Sequence, residues 1–230
     1  MYHSIGIICA SDTELEPFFE YLTVLETIEK ILLKFYRCSF CGCEIIAVYS
    51  GVCKVNAAIA AQVLTDTFQT DAVINAGTAG GMDRSVQLFD TVVSSQCAYH
   101  DVADDILTEF HPWLKTPFFP ASPLLLETAK KYSKTSPYPI LFGTSVTGEQ
   151  FIENSSRQKI LERFSPLSAD METASIAHVC YANQIPFLSV RSITDTAEHT
   201  GIENFDKNCA AASRICAEIT MGILKLLLKL

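Results

Sequence analysis

Short, almost wholly apolar runs are the feature that most constrains the fold of this 230-residue chain. Residues 5–10, 71–76 and 185–193 each have the length and composition of a strand that is buried on both faces. A helical pattern at residues 56–68 separates the first two runs. Because strands and helices alternate in this way, the sequence predicts an α/β fold with helices on both faces of a largely buried sheet.

The remaining segments extend this alternation along the chain. Gly42 predicts the turn of a hairpin, and residues 168–182 predict a short extended lead-in followed by a helix. The other predicted strands are residues 35–40, 44–49, 89–95, 96–99 and 138–144, and the other predicted helices are residues 15–22, 124–132, 156–164 and 208–228. No repeat or linker interrupts the pattern, which favours one domain over residues 1–230.

Charge and hydropathy limit the partners of the protein. The net charge is -9 and no basic run offsets it, which argues against a nucleic-acid or anionic-membrane partner. The first residues lack the basic region and apolar core of a signal peptide. Residues 222–230 are apolar but short and carry lysines, so they fit an amphipathic core helix better than a membrane span. We therefore expect a cytoplasmic protein.

The cysteines also indicate a cytoplasmic protein. There are nine, they are scattered, and several lie in apolar runs, which indicates buried free thiols in a reducing cytoplasm. Cys38 and Cys41 are spaced as the first half of a zinc site would be. No second Cys/His pair with suitable spacing follows, so the hairpin at Gly42 is the favoured interpretation.

Three acidic residues stand at the ends of predicted elements. Glu14 and Asp195 follow buried strands, and Glu172 lies where an extended segment becomes a helix. Ligands of open α/β sheets bind beyond the carboxyl ends of the strands, so these acids are candidate site residues. The alternative is that they only cap helices, as a Ser11-x-x-Glu14 capping box would.

Two loops carry a second set of signals. Residues 77–81 contain three glycines after a strand, which allows a tight turn and close approach of a ligand, although a simple turn is the alternative. The spacing matches neither a dinucleotide-binding motif nor a P-loop. Phe151 follows a strand and could stack on a planar ligand or fill the core. His100 and Asp101 are adjacent on a predicted strand and face opposite sides, so they form no direct pair.

Together these motifs resemble those of the methylthioadenosine/S-adenosylhomocysteine nucleosidases, within the nucleoside phosphorylase superfamily. The similarity runs through residues 5–14, 50–58, 75–81, 99–101, 147–151, 170–180 and 191–195. The resemblance implies a single-domain three-layer α/β/α fold with a central mixed, partly barrel-like sheet. It also implies a homodimer, for which the proline- and aromatic-rich loop around Trp113 is a further indication, and no metal or organic cofactor.

The activity implied is hydrolysis of the N-glycosidic bond of adenine nucleosides modified at the 5′ position. By resemblance, Asp195 is the general acid at N7 of adenine, and Glu14 orients and deprotonates the attacking water. Glu172 binds the ribose hydroxyls beside the backbone of Met171, and Thr78 lines the ribose and water pocket. Nearby carboxylates stabilise the oxocarbenium character of the sugar.

The resemblance assigns further residues to the base and to the 5′ end of the substrate. Phe151 stacks on adenine, and the backbone of Ile152 reads the base edge. Ala79 and Gly80 line the adenine pocket, and Val52 lines the 5′ pocket.

Some positions depart from the family pattern. Cys53 stands where glycine is usual, Thr78 where serine is usual, and Glu149 where aspartate is usual. Residues 102–110, which correspond to the segment that completes the partner's 5′ pocket, are unusually acidic. The preferred 5′ substituent therefore stays open.

Two rival functions share the fold. A phosphorolytic relative needs arginines for phosphate, yet the first arginine of this chain is Arg37, and Asn75 stands where many such relatives carry another. A non-catalytic nucleoside-binding protein would be expected to have lost at least one acid, and all three are present. Hydrolysis is the favoured interpretation.

Overall fold

A computed structural model describes residues 2–103, 105–110, 114–152, 154–196 and 202–229. Within these residues ten strands form one sheet, flanked by helices. The strands are β1 (Ser4–Cys9), β2 (Thr23–Lys30), β3 (Leu33–Phe40), β4 (Cys43–Tyr49), β5 (Ala72–Gly81), β6 (Thr91–Tyr99), β7 (Phe118–Pro120), β8 (Ile140–Thr147), β9 (Ser168–Asp170) and β10 (Phe187–Asp195). The helices are α1 (Asp12–Leu15), α2 (Lys54–Asp66), α3 (Ile106–Phe110), α4 (Pro123–Ser133), α5 (Asn154–Phe164), α6 (Thr173–Ala182) and α7 (Ile202–Leu227).

Part of the sheet closes on itself. β10 pairs in parallel with β5 and antiparallel with β6, β6 pairs in parallel with β8, β8 with β9, and β9 antiparallel with β5. These pairings form a ring of strands, while β1, β4, β3 and β2 continue the sheet outward from β5. The predicted mixed, partly barrel-like sheet is thus confirmed.

Helices cover the sheet on both sides, as the three-layer prediction requires. On one side, α7, α4 and α1 pack on a core that includes Ile7, Ile74 and Leu188. On the other side, α2 and α6 pack on a core that includes Ile8 and Val73. Adjacent strand residues thus face opposite layers, which explains why β1 and β5 read as uninterrupted apolar runs.

Three element predictions were wrong in a way that bears on the site. The glycines of residues 77–81 do not form a turn, because β5 continues through them and pairs with β10. Residues 89–95 and 96–99 are not two strands but belong largely to β6, with a register shift between Ser94 and Gln96. The predicted helix over residues 15–22 is the short α1 followed by a 3₁₀ turn at Glu16–Glu20.

Two further differences lie at the ends of the fold. β2 was not predicted, because nearly all its side chains are exposed at the edge of the sheet and it has no apolar face to detect. The last helix begins at Ile202 rather than at residue 208. Among the described helices, α7 included, none is both long enough and apolar enough to cross a membrane.

Candidate active site

A fully buried arginine organises the site. Arg191, on β10, is 1% exposed. Its Nη1 donates to the Thr78 carbonyl oxygen at 2.8 Å, and its Nε and Nη2 donate to Asn75 Oδ1 at 3.1 and 3.0 Å. Nη2 also donates to Glu172 Oε2 at 3.1 Å. The guanidinium group is therefore held in place from several directions.

Three carboxylates share this single cation. Besides Glu172, Asp170 Oδ2 lies 3.7 Å from Nε of Arg191 and Glu14 Oε1 lies 3.9 Å from its Nη1. Burial by itself would lower the pKa of Arg191, but the three acids outweigh it and raise that pKa. Arg191 thus stays charged and makes a buried acidic cluster possible.

Glu14, on α1, accepts three hydrogen bonds. Its Oε2 accepts from the Ala10 N–H at 2.7 Å, and its Oε1 accepts from both the N–H and the hydroxyl of Thr78 at 2.7 Å. The predicted capping box is only half formed. The Glu14 N–H donates to Ser11 Oγ at 3.3 Å, while the Glu14 carboxylate accepts from Ala10 and Thr78 instead of completing the box.

Gly77 explains how Glu14 can reach β5. Its φ is +153°, and a Cβ built on it would lie 2.5 Å from the carboxyl carbon of Glu14. Any side chain at this position would occupy the space of the carboxylate. The glycine therefore serves the close approach of an acid to a strand, which is a different use from the predicted turn.

Glu172 lies at the N-cap position of α6, but its side chain makes no capping hydrogen bond. Its Oε1 instead accepts from the Cys53 N–H at 3.0 Å, and its Oε2 accepts from Arg191. Burial, together with the neighbouring Asp170 and Glu14, raises the pKa of Glu172 to about 7, against the opposing effect of Arg191. One guanidinium cannot neutralise three carboxylates, so this acid retains its proton more readily than usual.

We expect this raised pKa to appear in the pH dependence of stability. The folded protein holds the Glu172 proton up to about pH 7, whereas an unperturbed glutamate releases it near 4.5. The native state therefore binds more protons between these pH values, and stability falls as the pH rises through them. Relative to Glu172→Gln, the wild type should lose up to about 3 kcal/mol of unfolding free energy over this range.

Urea unfolding of both proteins at several pH values from 4.5 to 8 measures this difference. The exposed acid Glu109 provides the control, because Glu109→Gln should leave the pH dependence of the wild type unchanged. If the free energy of unfolding of the wild type rose relative to that of Glu172→Gln as the pH increased, the assignment would be contradicted.

Asp195 ends β10 at a register irregularity and lies opposite Gly80 of β5. A Cβ on Gly80 would lie 3.0 Å from Asp195 Oδ2, so the glycine leaves room for the carboxyl group. The Thr194 hydroxyl donates to Asp195 Oδ1 at 2.9 Å. Burial raises the pKa of Asp195, while Thr194 and the nearby Arg157 reduce the shift.

The strands bring most of the predicted acids together. Glu14 and Glu172 lie on either side of Arg191, and Thr78 contacts both Arg191 and Glu14. Pairing of β5 with β10 places Asp195 against Gly80, two residues after Thr78. Ala79 lies between them on β5 and is buried.

The other predicted residues lie on loops around this cluster. Val52 is 47% exposed and immediately precedes Cys53, the donor to Glu172. Phe151 is 54% exposed, and its ring lies 6.2 Å from that of Phe205 on α7. Ile152 and Met171 are half-buried, next to Phe151 and Glu172 respectively.

Sequence reasoning assigned no role to three residues of the cluster, namely Arg191, Asn75 and Asp170. A signal was present, since Arg191 is a charged residue in the interior of β10, between the uncharged Val190 and Ser192. A buried charge must be paired, and the sequence offers acids and amides at the ends of neighbouring elements. Which of them it meets depends on strand order, which the sequence does not show.

Comparison with known proteins places this geometry in a family. Residues 4–225 match the model of the phosphorylase superfamily. A 5′-methylthioadenosine/S-adenosylhomocysteine nucleosidase of Listeria monocytogenes is 33% identical over 96% of this chain and 99% of its own length. The chain therefore belongs to the phosphorylase superfamily.

Comparison with solved structures identifies the family within this superfamily. A Colwellia psychrerythraea nucleosidase in complex with adenine is 31% identical, has a TM-score of 0.88, and matches 99% of this chain and 96% of its own. A Helicobacter pylori nucleosidase mutant with 5′-methylthioadenosine in its active site is 25% identical, has a TM-score of 0.91, and matches 98% and 99% of the two chains. Within the superfamily, the chain belongs to the 5′-methylthioadenosine/S-adenosylhomocysteine nucleosidases.

Proposed function

We propose that this protein hydrolyses the N-glycosidic bond of 5′-modified adenine nucleosides, including 5′-methylthioadenosine and S-adenosylhomocysteine. The observation that carries the proposal is the placement of Glu14, Glu172 and Asp195 at one end of the β5–β10 pair. Glu14 and Glu172 flank one buried guanidinium group, and Asp195 stands apart from it. Glu14 and Glu172 lie beside the positive charge of Arg191 and Asp195 does not, so the acids are suited to different roles in proton transfer.

Asp195 acts as the general acid. Burial favours its protonated form, which can donate to N7 of adenine as the bond between C1′ and N9 breaks. The electron pair of that bond leaves with the base, and the proton makes adenine a better leaving group. Phe151 stacks on the base, Ile152 reads its edge through the backbone, and Ala79 and Gly80 line the same pocket.

Glu14 and Glu172 act on the sugar side. A water beside Glu14 and Thr78 attacks C1′, its oxygen forms the new bond, and its proton passes to Glu14. Glu172 accepts hydrogen bonds from the ribose hydroxyls beside Met171. The negative charge of the cluster stabilises positive charge on the sugar as the old bond breaks.

A phosphate nucleophile suits this cluster poorly. The guanidinium group of Arg191 already donates hydrogen bonds to Asn75, Thr78 and Glu172. A dianion near Glu14 would meet the carboxylates of Glu14 and Glu172, while the guanidinium group of Arg191 is already engaged. Water is uncharged, so the carboxylates do not repel it.

One assay tests the proposal. The purified protein is incubated with 5′-methylthioadenosine, S-adenosylhomocysteine, 5′-deoxyadenosine or inosine, with and without phosphate, and the free base is measured. We expect adenine release that does not depend on phosphate. Release that requires phosphate would indicate phosphorolysis, and no release from any nucleoside would favour a binding protein.

We also propose that the protein is a homodimer. Apolar side chains are exposed on α2 and just before it, next to the site: Val55 and Ile59 on the helix expose 67% and 46% of their surfaces, and Val52 before the helix exposes 47%. Phe110 on α3, 68% exposed, adds a second apolar element. A second copy that covers these residues would remove apolar surface from water beside the 5′ pocket.

The sequence analysis also linked Trp113 to a subunit contact. That residue lies outside the described residues.

A charged residue at this face should prevent association. We expect Ile59→Asp to convert a dimer into monomers in sedimentation experiments, because a carboxylate cannot be buried in the contact without a partner. Leu25→Glu, at the edge strand β2, is the control and should leave the dimer intact, since Leu25 is exposed and lies outside the residues proposed to form the contact. A monomeric wild type would contradict the proposal.

A further inference from the structure

Three charged residues from three different segments contact one another beside the Phe151 loop. Lys54 Nζ lies 3.0 and 2.9 Å from the two carboxylate oxygens of Asp101. The Glu149 N–H donates to Asp101 Oδ2 at 3.0 Å, and the Lys54 N–H donates to Glu149 Oε1 at 2.9 Å. We refer to Lys54, Asp101 and Glu149 as the loop clamp.

The environment of the loop clamp favours a defined geometry. The Lys54 and Asp101 side chains are only 22% and 25% exposed, so their attraction is less screened than that of a surface pair. Lys54 Nζ also lies 5.4 Å from the centre of the Tyr99 ring. Both carboxylate oxygens of Asp101 contact Lys54, and one of them also accepts from the backbone of Glu149.

The backbone just before Phe151 is fixed as far as Glu149. The Gly148 N–H donates to the Asp170 carbonyl oxygen at 3.1 Å, and the His100 N–H donates to the Thr147 carbonyl oxygen at 3.0 Å. Gly148 has no room for a side chain, since a Cβ would lie 2.2 Å from His100 Nε2. Phe151 follows two residues beyond this anchored segment.

The opposite end of the loop clamp leads to the ribose side of the site. Lys54 is the first residue of α2, and Cys53 immediately before it donates its N–H to Glu172. Cys53 has a φ of +83°, a conformation that a residue with a side chain adopts only when its surroundings hold it there. The loop clamp therefore connects the loop that carries Phe151 to the backbone donor of Glu172.

We propose that Asp101, Lys54 and Glu149 are positioning residues that hold Phe151 against the bound base. This role rests on the proposed nucleosidase function, because it assumes that Phe151 stacks on a base. None of the three residues needs to touch the reacting atoms. Their effect is to reduce the freedom that the loop would otherwise lose on substrate binding, so they contribute to affinity more than to the chemical step.

Steady-state kinetics of Asp101→Ala with 5′-methylthioadenosine provides the first test. We expect KM to rise about tenfold and kcat to change by less than about threefold, because Glu14 and Asp195 are left in place. Asp101→Asn keeps an oxygen that can accept from the Glu149 N–H, so it should recover much of the lost affinity. Lys130→Met, which removes an exposed ion pair on α4, is the control and should leave KM unchanged.

A double-mutant cycle distinguishes positioning from a general loss of stability. Phe151→Ala should raise KM by about tenfold in the wild type, yet add little in the Asp101→Ala background, because a released loop no longer presents its ring. Additive effects on KM, or a loss in kcat with unchanged KM, would overturn the proposal. If Asp101→Ala does not fold, Lys54→Met removes the same ion pair and replaces it in the cycle.

Hydrogen–deuterium exchange tests the loop clamp without relying on activity. Backbone amides of residues 149–152 should exchange faster in Asp101→Ala than in the wild type, while those of β5 should not change. Unchanged exchange in this segment would overturn the proposal. The nucleosidase assay of the wild type tests a different proposal. Failure to release adenine would reject the catalytic function even if residues 149–152 exchanged faster in Asp101→Ala.

Discussion

Asp195→Asn should lower kcat for 5′-methylthioadenosine by about a thousandfold while KM changes by less than about threefold. Asparagine has nearly the same shape as aspartic acid and can still accept the hydrogen bond from Thr194. It cannot transfer a proton to N7 of adenine, so the base must leave as an anion. The loss therefore falls on the chemical step and spares substrate binding.

Adenine release under single-turnover conditions, together with equilibrium binding of the nucleoside, measures these two quantities separately. Asp206→Asn, at an exposed position on α7, is the matched control and should retain full turnover. If Asp195→Asn kept kcat within about tenfold of the wild type, a group other than Asp195 would have to protonate the base.

Arg191→Met should lower the free energy of unfolding by about 3–5 kcal/mol. Methionine keeps the apolar stem of the side chain but lacks the guanidinium group, so it leaves Glu14, Glu172 and Asp170 buried without a counter-charge. Asn75 Oδ1 would also lose two of its donors. The destabilisation should become smaller at low pH, because protonation of the carboxyl groups removes their repulsion.

Urea unfolding at pH 5 and pH 8 tests this result. Arg214→Met is the matched control, because the Arg214 side chain is 72% exposed and lies 3.7 Å from an exposed Glu20, so its loss should cost less than about 1 kcal/mol. A loss of similar size for both variants would show that the buried cluster does not depend on Arg191.

The sequence predicted the apolar strands and the acids because each has a local signature. β1, β5 and β10 are continuous apolar runs, and such runs identify strands between two helical layers. Glu14 and Asp195 were found because they follow such runs. Edge strand β2 lacks an apolar face, so no local pattern distinguished it from a loop.

The family resemblance added the roles of individual residues, which local patterns could not supply. Nothing in the composition of residues 147–152 says that Phe151 faces a base. Nothing in residues 77–81 says that Gly77 makes room for Glu14. The glycine pattern is compatible with a simple turn or with close approach of a ligand, whereas β5 runs straight through it. Glycine permits several backbone uses, and only its neighbours decide among them.

By itself the sequence determined the α/β class, the order of the main strands and helices, and the presence of three acids at element ends. Only the tertiary structure decided which charges meet. The pairing of β5 with β10 places Arg191 between Asn75, Glu172 and Glu14, and burial there raises the pKa of Glu172. The physical reason is that hydrophobic periodicity is local along the chain, whereas electrostatic interactions depend on distances between residues far apart in sequence.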